Sequence, residues 1–368
     1  MKVLVTGANG FIGKNLVLRL QEQAGTEVLT FVRGDTEAAL LAGLASADAV
    51  IHLAGENRPP LHDAFERVNA GLTRQICDYL RGLGRSVPLL LASSAQASLE
   101  NPYGRSKLSA EQAVEQLAEN NGNQVAIYRL PGVFGKWCKP NFNSVVATFC
   151  HNKAHDMPVQ INDAKVCIRL VYVDDVVSAF LKLLASPWSG VVRPQIAPEY
   201  SITLGELSDQ IDAFKNCRNT LVSERVGTGL IRALYATYVS YLPKDKFAYE
   251  VPAYGDARGV FVEMLKTPDA GQFSFFTAHP GITRGGHYHH TKTEKFLVIK
   301  GKARFGFRHM LTNEVHYLNT EGTKPQVVET VPGWTHDITN VGDDEMVVML
   351  WANEIFDRSN PDTVASKV

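Results

Sequence analysis

The sequence predicts two folds in one chain, a doubly wound α/β domain followed by an all-β domain. Residues 1 to about 190 alternate unbroken apolar runs with amphipathic stretches, which is typical of a parallel sheet with helices on both faces. From about residue 245 the hydrophobic period changes to two, and short strands follow at the turn spacing of a sandwich or barrel. We therefore predict an α/β domain over residues 1–243 and an all-β domain over residues 244–368.

Composition limits the class of protein. With 368 residues, 45% of them hydrophobic, each domain can bury an ordinary core. The formal net charge is -1 at pH 7 and no long basic block occurs, so we expect neither a nucleic-acid nor a membrane partner. The chain begins with the strand MKVLVTG rather than an apolar signal segment, and its five cysteines form no CxxC pair. These features predict a cytoplasmic protein with reduced thiols.

The first strand, KVLVTG, ends in a glycine-rich turn that opens a helix. Glycines at such a junction let the backbone approach a pyrophosphate, whose charge is stabilised at the helix N-terminus. Because the turn belongs to a complete βαβ unit, it predicts a dinucleotide site. The residues expected to contact the cofactor here are Gly7, Asn9, Gly10, Phe11, Ile12 and Gly13.

The second and third strands bear on the choice of cofactor. Arg33 follows the second strand where an NAD-specific site usually carries an acid, and its guanidinium can pair with a 2′-phosphate. This favours NADPH, whereas Asp35 is the nearby feature that favours NAD. Asp48, before the third strand, is a candidate adenine contact. The candidates for the floor of the cofactor cleft are Leu53, Ala54 and Gly55.

The fourth strand and the following helix carry the candidate catalytic residues. Ser94 ends the strand, and Tyr103 and Lys107 lie four residues apart on one helical face. An ammonium beside a phenol lowers the phenol pKa, which makes Tyr103 a candidate proton donor. Tyr288 and Lys292 form a second YxxxK in the all-β half, where we assign it no catalytic role.

These motifs resemble the extended short-chain dehydrogenase/reductases, which have a Rossmann-type fold. The resemblance rests on TGANGFIG, HLAG, Asn69, the SSA strand end, YGRSK and VYVDDVV, and it covers roughly the first 240 residues. It implies that Ser94 hydrogen-bonds a substrate carbonyl, Tyr103 donates the proton and Lys107 binds the nicotinamide ribose, with Asn69 as a further cofactor contact. Ala95-Gln96 stand where dehydratases of this superfamily have an Asp-Glu pair, so dehydration is disfavoured.

The stretch 135–152, GKWCKPNFNSVVATFCHN, is predicted to be a loop followed by a helix. Its lysine and asparagine side chains suit a pyrophosphate or sugar contact, and ordinary loop chemistry explains them equally well. The candidates are Lys136, Lys139, Asn141 and Asn143.

The stretch 281–301, GITRGGHYHHTKTEKFLVIKG, has the spacing of a metal site. His287 and His289 share one face of a strand, and Glu294 arrives from the next strand of the hairpin. His336, in VPGWTHDITN, completes a set of three nitrogens and one oxygen. The chain has 11 histidines, so polar faces of exposed strands are the alternative. Four ligands in one β-rich region favour a divalent ion, with zinc first and iron, nickel or manganese also compatible.

The two histidine-containing stretches resemble the two motifs of the cupin barrel, although Val331-Pro332-Gly333 stands where cupins usually have Pro-x-Gly. A reductase-like domain followed by a metal cupin further resembles the bifunctional CapF/WbjC-type sugar-nucleotide enzymes. These act in the L-fucosamine branch of capsule and O-antigen synthesis. That resemblance rests on GKWCKPNFNS, NPYGRSK and GGHYHHTKTEKFLVIKG and extends over essentially the whole chain.

The resemblance implies two reactions on a UDP-activated 2-acetamido-2,6-dideoxy-4-ketohexose. The cupin inverts C3, and the α/β domain reduces the C4 ketone with NADPH to UDP-2-acetamido-2,6-dideoxy-L-talose. Because the ketone acidifies the C3 hydrogen and hydride addition removes the ketone, epimerisation must come first. The base that takes the C3 proton stays open, with Lys302, His316 and Tyr317 as candidates.

Two other interpretations belong to different functional classes. One is a single-activity NADPH sugar reductase whose cupin is structural, and the other is a non-catalytic NADPH-sensing regulator. The intact set of Ser94, Tyr103 and Lys107 argues against the regulator. Since cupins pair readily, we expect a homodimer.

Overall fold

The computed structural model describes residues 1–58, 63–186, 188–256, 259–262, 265, 267, 271–354 and 359–368. The chain forms two compact units. The first consists of Met1–Lys139 and Ile168–Ser201, and the second of Pro140–Cys167 and Ile202–Val368. No helix among the described residues combines the length and apolarity needed to cross a membrane.

A six-stranded parallel sheet forms the centre of the first unit. The strands up to residue 203 are β1 (Lys2–Thr6), β2 (Glu27–Phe31), β3 (Ala49–His52), β4 (Leu89–Ser94), β5 (Val125–Leu130), β6 (Gly132–Phe134), β7 (Cys167–Tyr172), β8 (Val191–Val192) and β9 (Tyr200–Thr203). The sheet has the order β2-β1-β3-β4-β5-β8, and all its pairings are parallel. Strands β6, β7 and β9 form a smaller sheet, in which β6 and β7 pair in parallel. The predicted parallel sheet is therefore confirmed.

Helices cover both faces of this sheet. The helices of the chain are α1 (Phe11–Gln21), α2 (Glu37–Ser46), α3 (Asp63–Phe65), α4 (Leu72–Gly82), α5 (Pro102–Asn121), α6 (Val145–Ala154), α7 (Val173–Leu184), α8 (Leu204–Thr220) and α9 (Gly229–Val239), with a π-helix at Glu66–Gly71 and short 3-10 turns at Ala95–Ser98 and Lys244–Lys246. One apolar core joins the sheet to α2, α4 and α5, and a second joins its other face to α1 and α7. This is the doubly wound arrangement that the apolar strands predict.

Antiparallel strands dominate the second unit. They are β10 (Ala248–Glu250), β11 (Ala253–Asp256), β12 (Gly259–Val262), β13 (Gln272–Ala278), β14 (Thr283–Tyr288), β15 (Glu294–Lys300), β16 (Lys302–His309), β17 (Val315–Glu321), β18 (Gln326–Glu329), β19 (Trp334–Asn340), β20 (Met346–Ala352) and β21 (Val364–Ala365). Two five-stranded sheets result, β10-β18-β15-β20-β13 and β17-β16-β19-β14-β21, beside the hairpin of β11 and β12. The all-β character is as expected, and closure into a barrel stays a prediction.

Helices α6, α8 and α9 group with these strands, whereas the sequence placed them in the first domain. A buried charge network shows why. The Glu329 carboxylate accepts hydrogen bonds from Lys295 on β15, from Arg218 on α8 and, at 3.3 Å, from the Tyr235 hydroxyl on α9. A buried charge without partners is costly, so the helices and the sheet stabilise each other. The predicted domain boundary between residues 243 and 244 stays a prediction.

Candidate active site and metal centre

The glycine turn after β1 has the geometry of a dinucleotide-binding turn. Gly7 has φ +69°, and a Cβ there would lie 2.7 Å from the backbone nitrogen of Ala54. A Cβ at Gly13 would lie 2.3 Å from the Gly7 carbonyl oxygen. Helix α1 begins after Gly10, and no described side chain caps it. Its first amide groups therefore remain available to an anion such as a pyrophosphate.

The three charged residues predicted to lie near the cofactor differ in the contacts they make. Arg33 is exposed and pairs with Glu56. The Oδ2 atom of Asp35 accepts a hydrogen bond from the backbone nitrogen of Val32, three residues earlier, at 2.7 Å. Asp48 was wrongly placed at the adenine site, because its Oδ2 lies 2.7 Å from the Lys2 nitrogen at the start of β1. The glycine turn is at the other end of that strand.

The candidate catalytic helix, α5, is fixed closely against the end of β4. Asn101 caps it by accepting a hydrogen bond from the Gly104 nitrogen at 2.7 Å. Gly104 packs so tightly that a Cβ would lie 2.3 Å from the carbonyl oxygens of Gln96 and Leu99. A side chain at this position would push the helix away. The close packing holds Tyr103, on the first turn, beside the strand that ends in Ser94.

Burial dominates the electrostatics of the two titratable groups on α5. It lowers the pKa of Lys107 to about 8, against the opposing charge of Glu111. The Lys107 ammonium donates to the Ala92 carbonyl at 3.0 Å. Burial also raises the pKa of Tyr103, and a hydrogen bond with Ser94 partly offsets it. The expected lowering of the phenol pKa by Lys107 is thus not seen, and burial is the main influence on Tyr103.

Asn69 connects this helix to the floor of the predicted cleft. It lies in the π-helix, a local widening that is frequent at functional sites. Its Oδ1 accepts from the Glu56 nitrogen at 2.8 Å, and its Nδ2 donates to Ser106 Oγ at 2.9 Å. A Cβ on Gly55 would lie 2.9 Å from Asn69 Oδ1 and 3.4 Å from Lys107 Nζ. Asn69, Gly55 and Lys107 therefore converge, as a shared ribose contact requires.

Lys136, one of the loop candidates, forms a buried ion pair with Asp174. Its side chain is buried and donates to Asp174 at 2.8 and 3.0 Å. Its carbonyl accepts from Asn15 of α1 at 3.4 Å. The loop candidates Lys139, Asn141 and Asn143 stay predictions.

In the second unit, the four predicted metal ligands lie together. The nitrogen and oxygen atoms that His287, His289, Glu294 and His336 can offer all lie within 4.8 Å of one another. Glu294 Oε2 is 3.1 Å from His289 Nε2 and 3.4 Å from His336 Nε2. Strand β14 reaches this position through a bulge after Gly285 (φ +91°), which sets His287 opposite His336 on β19.

The electrostatics of the three histidines differ. Burial lowers the pKa of His287 to about 3, and it lowers the pKa of His336 as well. Burial would raise the pKa of Glu294, yet hydrogen bonds from His289 and His336 hold it well below its usual value. Glu294 and Asp362 outweigh burial and raise the pKa of His289. Three imidazole nitrogens and one carboxylate oxygen are a donor set of the kind that binds zinc.

Two buried atoms of this cluster, Nδ1 and Nε2 of His336, lack a well-formed hydrogen bond within the described part of the chain. The Nε2 atom lies 3.4 Å from Glu294 Oε2, among the other candidate ligand atoms. Buried polar atoms are nearly always paired, so an orphan indicates a missing group or water. The residues present therefore fit a divalent ion.

A cavity of about 180 Å³ opens beside the cluster. Its lining includes Arg284 and Asp337 as the polar groups outside the predicted ligands. Burial raises the pKa of Asp337. The cavity is smaller than typical pockets for complete ligands, so it suits one ring of a larger molecule. The candidate bases Lys302, His316 and Tyr317 are not among the lining residues. The remaining walls are mainly apolar, formed by Phe276, Phe296, Phe305, Ile338 and Leu350.

Comparison with known proteins identifies the family. Residues 3–196, more than half of the chain, match the NAD dependent epimerase/dehydratase family. The chain belongs to this family. Residues 254–364 match the polysaccharide biosynthesis C-terminal domain.

Full-length relatives of this family member share both units. The chain is 57% identical over 368 residues to a Pseudomonas aeruginosa protein named UDP-2-acetamido-2,6-beta-L-arabino-hexul-4-ose reductase, covering 100% of this chain and 99% of that protein. The crystal structure of the capsular polysaccharide assembling protein CapF from Staphylococcus aureus matches with 42% identity and a TM-score of 0.68, covering 100% of both chains. UDP-glucuronic acid 4-epimerase from Bacillus cereus, at 20% identity and TM-score 0.52, covers 58% of this chain and 83% of its own, and shares the fold alone.

Several residues that shape these sites were assigned no role from the sequence. His52 bridges Thr6 and Thr73, at 2.6 and 2.9 Å, and burial lowers its pKa to about 3. Thr73 in turn donates to the Asn69 carbonyl at 2.6 Å. Lys292, from the YxxxK pattern that we set aside, contacts Glu294 Oε1 at 2.9 Å. The HLAG motif could have indicated His52, since a histidine at a buried strand end needs partners.

Proposed function

We propose that this chain is a bifunctional sugar-nucleotide enzyme. Its first unit reduces the C4 ketone of a UDP-2-acetamido-2,6-dideoxyhexulose with NADPH, and its second unit epimerises C3 of the 4-keto sugar. The product is UDP-2-acetamido-2,6-dideoxy-L-talose, for L-fucosamine in capsule or O-antigen. The observation that carries the proposal is the full-length match, at 57% identity, to the P. aeruginosa reductase.

The residues of the first unit suit ketone reduction. When bound, the nicotinamide cofactor supplies a hydride to the carbonyl carbon. Tyr103 is the group that gives a proton to the carbonyl oxygen, and Ser94 donates a hydrogen bond to the same oxygen. Lys107, buried at 8% exposure, carries the charge that stabilises the tyrosinate left after proton transfer. The proton and the hydride together account for the two hydrogens of the product alcohol.

NADPH is the proposed cofactor because of the charges after β2. The Asp35 carboxylate already accepts a hydrogen bond from the Val32 backbone nitrogen. Arg33 is 84% exposed in its side chain, and it can exchange its pairing with Glu56 for a 2′-phosphate.

The second unit is proposed to hold a divalent ion, zinc first, on His287, His289, Glu294 and His336. A bound ion supplies Lewis-acid stabilisation of negative charge on oxygen, or structural order. Epimerisation requires removal of the C3 proton to an enolate and return of a proton to the other face. Arg284 lines the cavity with its guanidinium 5.2 Å from the centre of the Phe276 ring, and can stabilise an oxyanion there. A homodimer in the cytoplasm is part of the same proposal.

A labelling experiment tests the reductase half. The full chain is incubated with UDP-2-acetamido-2,6-dideoxy-4-ketohexose and NADPH deuterated at the transferable C4 position. We expect one deuterium at C4 of the product sugar, observed by mass spectrometry and NMR. NADPH that stays unoxidised, or a product without label, would rule out this reduction.

A further inference from the structure

The segment 360–368 touches all the elements that carry the histidines of the proposed metal centre. Its strand β21 pairs with β14, placing Ala365 opposite His287. The Ser366 nitrogen donates to the Gly286 carbonyl at 2.9 Å. Thr335, next to His336 on β19, donates from Oγ1 to the Ser366 carbonyl at 3.0 Å. The segment therefore lies against the strands on either side of the ligand cluster.

Asp362 makes the most specific contacts of this segment. Its carboxylate accepts backbone hydrogen bonds from His290 at 2.8 Å, Thr291 at 2.6 Å and Lys292 at 2.7 Å. It also accepts from the Thr291 hydroxyl at 2.9 Å. These are three of the four residues between the ligands His289 and Glu294. One carboxylate thus fixes the path of the loop that joins two ligands, and its charge makes each of these bonds stronger than a neutral one.

The backbone of Asp362 orients the His289 ring directly. Its carbonyl oxygen forms a hydrogen bond with His289 Nδ1. Since a carbonyl only accepts, Nδ1 must carry the proton, and the lone pair of the neutral ring is then on Nε2. That Nε2 atom is the one 3.1 Å from Glu294 Oε2. Metal-bound histidines are commonly oriented by a second partner in this way.

We propose that Asp362 is a positioning residue of the metal centre, which holds the loop 290–292 and the His289 ring so that Nε2 faces the ion. This inference rests on the proposed metal centre and adds the residue that organises it. Asp362 itself does not bind the ion. Its role predicts that metal affinity depends on a carboxylate outside the ligand set.

The test is metal affinity of the full chain, measured as Co²⁺ competition against a chelator and as the visible absorption spectrum of bound Co²⁺. Asp362→Ala and Asp362→Asn are expected to weaken binding about 10- to 100-fold, as loss of such supporting contacts typically does. The asparagine variant keeps the side-chain size, but its amide nitrogen replaces one of the two accepting oxygens, so at least one of the three backbone donors loses its acceptor. It should also alter the Co²⁺ spectrum, which a purely structural role away from the ion would not do.

Lys367→Ala is the matched control in the same segment, because Lys367 is exposed and contributes only its carbonyl, to Arg308. We expect wild-type affinity and spectrum for it. His287→Ala separates this inference from the proposed function. If His287→Ala loses Co²⁺ while both Asp362 variants bind normally with an unchanged spectrum, only the positioning role is wrong. If the wild type and His287→Ala bind alike, the metal centre and the inference both fail.

Discussion

His289 Nε2 lies 3.1 Å from Glu294 Oε2, across the loop that leads from β14 in one sheet to β15 in the other. Only one oxygen of Glu294 faces the histidines, since Lys292 contacts the other at 2.9 Å. The arrangement leaves a carboxylate oxygen and imidazole nitrogens directed at one point.

Removal of metal is expected to destabilise the protein. A ligand that binds only the folded state adds about 2.7 kcal/mol to the free energy of unfolding at a free concentration of 100 Kd. We expect EDTA to lower the midpoint of thermal unfolding and Zn²⁺ to restore it, whereas His289→Ala should show no metal-dependent shift. His279→Ala, at an exposed histidine outside the cluster, should keep the shift. Identical unfolding curves with and without EDTA would argue against a resident ion.

Tyr103→Phe tests the proton donor. It keeps the ring, which lies 5.7 Å from that of Phe65 in an edge-to-face contact, and removes only the hydroxyl. We expect kcat for NADPH oxidation to fall about 10²- to 10⁴-fold, the usual contribution of a general acid. The control Tyr79→Phe removes a hydroxyl on α4 and keeps a half-buried ring that packs against the core, so it should leave the rate within about twofold of wild type. Equal rates for Tyr103→Phe and wild type would exclude Tyr103 as the donor.

The rate of reduction is expected to depend on pH through Lys107. Because burial lowers its pKa to about 8, the ammonium loses its charge as the pH rises through that value, and kcat/KM should decline there. Glu111 opposes the shift, so Glu111→Gln should move the decline to lower pH. Glu115→Gln, one turn further along α5 and paired with Arg193, should leave the profile in place. If kcat/KM stays constant up to pH 10, or if its decline falls at the same pH in Glu111→Gln as in the wild type, Lys107 does not control the rate in this way.

Cofactor preference is expected to depend on Arg33. A charge-assisted hydrogen bond contributes about 1.5–3 kcal/mol, which is at least about tenfold in affinity. Arg33→Ala should raise KM for NADPH by this factor and change KM for NADH little. Arg81→Ala, an exposed arginine paired with Asp78 on α4, serves as the charge-matched control. An unchanged NADPH/NADH ratio would assign cofactor preference to other residues.

Sequence patterns predicted the features that depend on residues close together in the sequence. Apolar period and turn position were sufficient for the parallel sheet of the first unit, and the spacing of His287, His289 and Glu294 was sufficient for their convergence with His336. The parallel sheet follows from strand geometry, which alternates side chains regularly. The hairpin expected to bring Glu294 to the histidines is wrong, because β14 and β15 lie in different sheets and the loop between them makes the connection.

Features that depend on burial and on distant contacts could not be predicted in the same way. The pKa of Tyr103 depends on how deeply α5 packs, which YxxxK does not encode. Asp48 was assigned to the wrong end of a strand, because its bond to the Lys2 backbone has no sequence signature. Asp362 acts through backbone groups far away in the sequence, and backbone donors are the same at every residue.

The central claim is that the second unit abstracts the C3 proton, and deuterium exchange tests it most directly. The full chain carrying Tyr103→Phe is incubated in D₂O with UDP-2-acetamido-2,6-dideoxy-4-ketohexose and no NADPH, beside a sample without protein. We predict deuterium at C3 above that background, and its loss when His287→Ala is added. Absence of exchange at C3, with C4 reduction by the wild-type chain intact, would contradict the bifunctional proposal and leave a reductase with a structural β domain.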